Sequence, residues 1–402
     1  MSTFRKLSLP RVSRTLEEVR SGLFARVEEV QDEYQAKGWL PARMNLNKGV
    51  IRGILELVAW MFFQLYQLLE ALLTQAVPLL SSGDWLDLHC DQVGLQRKAA
   101  TKAKGYVRFY RSEQTPDGQN IPIPSSRILR TLPDGNGEVY RYLTLEDAVL
   151  QAGEAFVDVL VESEAYGAET NAGTGQICEL VTPVSGIDRV DNTAEWLTDE
   201  AASDESDEQL RIRYMYAWLS RAGVTSAAYQ AAALSVKGCI EAAVADQHPR
   251  GEGTIDVIVR GSAGIPTQNL LDAVEEAVNT EIVINHDLLV KGPTAVEIAV
   301  QLELELYSGD EAALKLSAEN FVRAMFSGDA SQTGGHIPFG IGHDVIRDRL
   351  AAGIITQTGV KRIVWGGSLV SGDVVVPADG LAVLKTLTVT AKWVSRSEER
   401  RV

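Results

Sequence analysis

Cysteine is scarce in this 402-residue sequence: Cys90, Cys178 and Cys239 lie far apart. An odd number with no C-x-x-C pair excludes a disulfide framework and fits no zinc ribbon, so folding in a reducing cytosol is expected. Basic residues are outnumbered, with 38 Lys and Arg against 54 Asp and Glu and a formal charge of -16. That balance argues against nucleic-acid phosphate as the main partner. Long apolar runs are missing as well. The most apolar stretch, Ile51 to Leu80, is interrupted by Glu56, Gln64, Gln67, Glu70 and Gln75, and its longest unbroken run is the seven-residue LVAWMFF. Judged by run length, this falls short of the roughly 20 apolar residues that a bilayer crossing needs. A buried or partner-facing helix is expected there, without membrane insertion. The basic N-terminal segment lacks the apolar stretch of a secretory signal, so Sec export is not expected.

Motifs of catalysis and cofactor binding are also wanting. Gly251-Glu-Gly253 and Gly173-Thr-Gly175 begin like dinucleotide loops, but Asp256 and Cys178 stand where the last glycine belongs. Pyrophosphate is held by amides at a helix N-terminus, so both segments read as turns. No Walker loop occurs, and Gly366-Gly367-Ser368-Leu369-Val370 ends in valine where a nucleophile elbow needs glycine. The histidines, His89, His248, His286, His336 and His343, form no H-E-x-x-H pair. His336, His343 and Asp344 would offer a metal two imidazoles and a carboxylate if they converged; a loop leading into a helix is the simpler reading. The acidic run Asp199–Glu208 has no glycine and so is no EF-hand. Ser206 with Gln209 reads there as a capping box opening a helix, with Leu210, Tyr214 and Ala217 on its apolar face. No catalytic residue, cofactor or metal site is therefore expected.

What is present is a change of hydrophobic period along the chain. Thr15 and Glu18 form a capping box ahead of Leu16, Val19, Leu23, Val27 and Val30 at helical spacing. A second helix carries Ile51, Ile54, Leu55, Val58, Phe62, Leu65, Leu69, Leu72 and Leu73 and ends near Pro78. Its apolar face is too wide for one neighbouring helix to cover, which points to subunit contacts as well as internal packing. From Gly105 the period is two, in YVRFY, EVYRYLTL and AFVDVLVE, with turns at TPDGQN and LPDGNG, predicting an antiparallel β-rich domain. Helices near 225–236, 267–279, 310–326 and 343–353 then mix with strands near 240–246, 254–260, 295–306, 360–365 and 381–390. In the long strand Val296, Ile298, Val300, Leu302, Leu304 and Leu306 alternate with polar or small residues, giving one buried face. The order favours a multidomain α+β chain: N-terminal helices, a β-rich domain, then α+β sandwich domains. The expected divisions are 1–100, 101–200, 201–308 and 309–402, with hinges near 183–206 and 307–310.

Several segments, taken together, resemble the baseplate J-like wedge family of contractile phages, tailocins and related injection machines. In GDWLDLHCDQVGLQRKAATKAKGYVRF the matching positions are Gly83, Leu86, Asp87, Gly94, Arg97, Ala100, Thr101, Ala103 and Gly105. IPIPSSRILRT is similar to the family's Ile-Pro-x-Gly-Thr turn, with Ser126 and Arg127 replacing Gly-Thr. Gly167, Asn171, Gly175, Gly186, Val190, Asn192, Glu205, Ser206, Asp207, Glu208, Leu210, Arg211 and Arg213 carry a third match, and TSAAYQAAALSVKGCIEAAVADQHPRGEGTIDVIVRG a fourth.

The resemblance covers most of 80–390 and implies a structural wedge subunit, not an enzyme. It would join a ring around the tail hub and couple host recognition to sheath contraction. The implied partners are other wedge proteins, further copies of the chain, and hub and sheath components. The implied location is the tail baseplate of a virion or injection particle, assembled in the bacterial host cytoplasm. On this reading 1–100 is a partner-binding region in which Ile54, Val58, Phe62, Leu65 and Leu69 meet partner helices, while Arg97, Arg211 and Arg213 hold local architecture. The alternatives are a tail-associated cell-envelope glycosidase, which needs two carboxylates at catalytic spacing, and a carbohydrate-binding adhesin, which needs exposed aromatic platforms.

Overall fold

The computed structural model describes residues 14–394 except 41–44, 114–117, 134–136, 222, 224, 282–285, 329–332 and 357–358. The expected turns TPDGQN and LPDGNG thus lie partly outside the described residues. The chain forms two compact units, Met1–Gln96 and Arg97–Val402.

The first unit is helical. Helix α1 (Leu16–Ala36) starts at the expected capping box: the Glu18 amide donates to Thr15 Oγ1 at 3.1 Å, and the Thr15 amide donates to the Glu18 carboxylate at 2.8 Å. Helix α2 (Val50–Gln75) packs on α1 through Ala59, which is fully buried, and the short α3 (Asp84–Asp91) buries Leu86 and Cys90. The His89 ring, 3.0 Å from the Gln75 carbonyl, ties α3 to the end of α2.

The second unit opens with a β domain. Its strands are β1 (Lys104–Arg111), β2 (Ile121–Ile123), β3 (Ile128–Thr131), β4 (Arg141–Thr144), β5 (Ala148–Leu150), β6 (Phe156–Ser163), β7 (Ile177–Leu180), β8 (Ile187–Asp191) and β9 (Leu197–Asp199). The main sheet runs β7-β3-β4-β6-β1-β8 with β9 also on β1, and β2 pairs with β5 apart from it. Every pairing is antiparallel, and register shifts at Lys104/Gly105, Tyr110/Arg111 and Arg130/Thr131 curl the sheet until β7 lies against β8. The result is a nearly closed barrel. Period-two burial of Gly105, Val107 and Phe109 fills it from β1. Gly105 is there because Trp196 crosses directly over it: a Cβ would stand 2.1 Å from the Trp196 carbonyl oxygen.

The central part comprises α4 (Asp207–Ser220), α5 (Ser226–Ser235), β10 (Cys239–Ala245), β11 (Thr254–Gly261), α6 (Gln268–Asn279) and β12 (Asp287–Lys291). The expected box opens α4, with the Gln209 amide donating to Ser206 Oγ at 3.3 Å. All of β11 is buried, antiparallel to β10 and parallel to β12 through α6. That crossover is a βαβ unit inside a sheet otherwise built from a hairpin.

The C-terminal part comprises β13 (Thr294–Leu306), α7 (Glu311–Ser327), α8 (Arg347–Ile355), β14 (Val360–Gly367) and β15 (Gly380–Trp393). The alternation in β13 has its expected effect, with Ile298, Val300, Leu302, Leu304 and Leu306 all buried. This strand corrects the division at 308/309: β13 is the middle strand between β14 and β15, and its apolar face joins the core made by α7 and α8. The break between the last two parts falls at Gly292-Pro293, and 307–310 lies inside one core rather than at a hinge.

Candidate functional site: an apolar helix face and a polar seam

Among the described residues of the first unit, helix α2 carries an extended exposed apolar surface. Successive helical residues turn by about 100°, so Ile54, Val58, Phe62, Leu65 and Leu69 fall within about 80° of one another. Ile54, Phe62, Leu65 and Leu69 are exposed, and Val58 is half-buried. Leu72, already read on this helix from sequence, and Leu57, Met61 and Leu68, which were not, widen this face, although the i, i+4, i+7 spacing of all four was available. The opposite side, around Arg52, Glu56 and Ala59, meets α1: Arg52 lies over the Phe24 ring at 5.6 Å and 3.2 Å from Glu56. The structure also corrects the run-length argument about membranes. At 26 residues and a mean hydropathy of 1.4 in its most apolar window, α2 is long and apolar enough to cross a bilayer by length and composition. A few interspersed polar residues do not shorten a helix.

A second arrangement lies where the barrel meets the central part. Arg97 donates to the Glu205 carbonyl at 2.6 Å and to Asp207 Oδ1 at 2.7 Å. Glu205 Oε2 accepts from the Lys98 amide at 2.9 Å and from Arg213 at 2.5 Å, while Arg211 pairs with Glu208 at 2.5 Å. The three arginines therefore hold local architecture. Thr101 and Ala202 exchange two hydrogen bonds, and the buried Glu200 accepts from the Thr267 amide at 2.7 Å and the Ala263 amide at 3.2 Å, at the start of α6. The connection expected to hinge at 183–206 is instead bonded to both sides at 200–207. Glu200 had no sequence signal beyond its place in the acidic run, because its partners lie more than sixty residues on.

Burial governs the proton equilibria of this seam. It lowers the Lys98 ammonium to about 8, with Arg213 adding repulsion, and Lys98 Nζ donates to the Leu234 and Val236 carbonyls at 2.6 Å each. Burial raises the Glu200 carboxyl against the amides that hold its charged form, and pushes the Cys239 thiol up to about 12. A cleft of about 460 Å³ beside the seam is lined by Lys98, Glu205, Arg213 and Cys239 among others. Its thiol is protonated near neutrality and its charges are engaged by the chain itself, so the arrangement positions segments of the protein.

The histidine pair does not converge on one point. The His336 ring meets Phe321 edge-on at 5.6 Å, His343 Nδ1 accepts from the Gly340 amide at 3.1 Å, and Asp344 accepts from the Val376 amide at 2.8 Å. Among the described residues no group of three His, Cys, Asp or Glu is placed to hold a metal.

Comparison with known proteins bears on the second unit. Residues 106–199 match the family model "Baseplate J-like protein barrel domain", and residues 221–292 match "Baseplate J-like central domain". Both matches are to baseplate J-like domains. The two matches coincide with the barrel strands β1 to β9 and with α5 through β12, so the family signal sits on both sides of the polar seam. The chain is also similar to gp29, named as a candidate baseplate protein, of Haemophilus phage HP1 (strain HP1c1): 26% identity over 254 residues, 60% of this chain and 63% of that one. The matched region thus spans just under two thirds of that relative's length. A solved structure, the anti-feeding prophage (AFP) baseplate determined by cryo-EM and 6-fold symmetrised, is similar over 89% of this chain and 90% of the matched chain, at 11% identity and a TM-score of 0.37.

Proposed function

We propose that this protein is a structural wedge subunit of a contractile-tail baseplate. It joins other wedge proteins and further copies of itself in a ring around the tail hub, and passes host recognition on to the sheath as motion rather than by turnover. It resides in the tail tip of a virion or injection particle. The two baseplate J-like domain matches support a baseplate role, and the observation that carries the assembly reading is the α2 face. Ile54, Phe62, Leu65 and Leu69 stand exposed on one continuous strip, and such a strip is stable in water only when something covers it.

Partner helices suit this strip better than a bilayer does. Arg52, Glu56 and Glu70 lie on the same helix. A charge at the bilayer centre costs about 2.5–3.5 kcal/mol on insertion scales, whereas neighbouring helices can pair it. The domain reading that goes with this function is a helical partner-binding region followed by barrel, central and C-terminal parts. The test is co-purification with other tail proteins and location of the chain in an image of an assembled tail tip. A monomer that never joins tail particles overturns the reading.

A further inference from the structure

The second unit holds three apolar cores that share no buried residue: one in the barrel, one in the central part and one in the C-terminal part. Between the last two, Lys291 of β12 lies 3.8 Å from Asp379 beside the connection, and a buried charge crosses deeper in. Arg260, on the fully buried strand β11, is only 2% exposed and reaches out of its own core. It donates to the Phe326 carbonyl at 2.6 Å and to the Phe339 carbonyl at 2.8 Å, both in the C-terminal part. Glu241 of β10 lies 3.5 Å from the same guanidinium and accepts from the Ile341 amide at 3.2 Å. The chain itself passes from β12 to β13 through Gly292-Pro293 alone.

We propose that this junction is a latched hinge, with Gly292-Pro293 as pivot and the Arg260 guanidinium, seated at the C-terminus of α7, as latch. An apolar seam would resist opening in proportion to the surface it hides, and it would hold many nearby angles almost equally well. A planar cation on two fixed carbonyls holds one angle, and on opening both the cation and the carbonyls are taken up by water. The closed state also carries a standing cost. Burial disfavours the charged guanidinium, and Arg260 Nε has no hydrogen-bond partner among the described residues. What offsets this cost is the α7 terminus, where the carbonyl end of the helix favours a cation. The seat is shaped for the latch: Gly328, with φ +86°, ends α7, and a Cβ there would stand 3.0 Å from the guanidinium. Gly340 leaves similar room for Glu241, whose Oε1 would be 2.4 Å from a Cβ. This inference concerns the chain's own mechanics and stands whether or not the chain works in a baseplate.

The test is an interspin distance across the junction in the full-length chain. Nitroxides are attached at Glu275→Cys and Lys361→Cys, both exposed, in a Cys178→Ser background. The parent should give one narrow distance distribution, and Arg260→Met should broaden it while the far-ultraviolet circular dichroism is unchanged. If Arg260→Met does not fold, Glu241→Gln, which keeps the shape and removes the counter-charge, decides by the same broadening. A folded variant that keeps the narrow distribution of the parent overturns the latch.

Discussion

Asn192 closes the barrel onto Ile177. Its Oδ1 accepts the Ile177 amide at 2.9 Å while its Nδ2 donates to the Gly173 carbonyl at 2.9 Å, so one buried side chain joins the end of β8 to the start of β7. β7 and β8 form no ladder, and one backbone bond, from the Gly175 amide to the Asn192 carbonyl at 2.9 Å, joins these ends; the amide side chain, with one acceptor and two donors, adds two more.

Asn192→Ala therefore strands the buried Ile177 N–H, while the Gly173 carbonyl, on an exposed residue, keeps the Gln176 amide at 3.1 Å. At about 1–3 kcal/mol for one unsatisfied buried group, the expected loss is about 1–3 kcal/mol, read as a lower urea midpoint. Asn192→Asp keeps the acceptor for Ile177 but turns a carboxylate oxygen toward the Gly173 carbonyl, and it should be no better tolerated near neutral pH.

Gly105→Ala tests the approach of Trp196. The added methyl meets backbone, the Trp196 carbonyl oxygen, at 2.1 Å, so no side-chain rotation relieves it. Overpacking of this kind costs typically about 1–3 kcal/mol and more when backbone must move. The loss should appear in denaturation and in the near-ultraviolet dichroism, since Trp196 stacks edge-on against Tyr142 with ring centres 5.7 Å apart.

On the α2 face, Phe62→Glu and Leu65→Lys change exposed positions, so the stability of the isolated chain should move by no more than about 0.5 kcal/mol. Co-purification with tail proteins should fall sharply. Unaltered co-purification with both changes present would place the partner contact elsewhere.

Proton linkage at the seam has opposite signs at its two ends. Lys98 titrates near 8 in the folded chain, below its ordinary 10.5, so between those values the unfolded chain holds a proton that the folded chain lacks. Stability from Lys98 therefore rises with pH across about 8 to 10.5. Glu200 is raised above its ordinary 4.5, so its contribution falls as pH climbs from 4.5 through its folded value. Urea midpoints measured across both ranges, against Lys98→Met and Glu200→Gln, should show each slope flattened in the matching variant.

How much of this was legible in the sequence depended on how far apart the partners lie. The boxes at Thr15 and Ser206 were readable because donor and acceptor are three residues apart, and the buried face of β13 because strand geometry imposes its period directly. The exposed face of α2 was visible for the same reason. The parallel pairings of β11 with β12 and β13 with β15 were not visible, because a strand's own residues do not name its neighbour. That ambiguity misplaced the C-terminal division. Arg260 was equally hidden: within TIDVIVRG it reads as the solvated end of a strand, and its acceptors at Phe326 and Phe339 are more than sixty residues away.

The sequence by itself determined the longer elements, the α+β class and the baseplate J-like resemblance, since these follow from local periodicity, capping and motif order, whereas short strands such as β2, β5 and β12 did not show in it. The tertiary structure alone decided which strands share a sheet, where one core stops and the next begins, and which charges are buried between them. The physical reason is range. Backbone sterics and side-chain alternation act over a few residues, whereas desolvation and hydrogen bonding at Glu200, Arg260 and Asn192 depend on groups that only folding brings together.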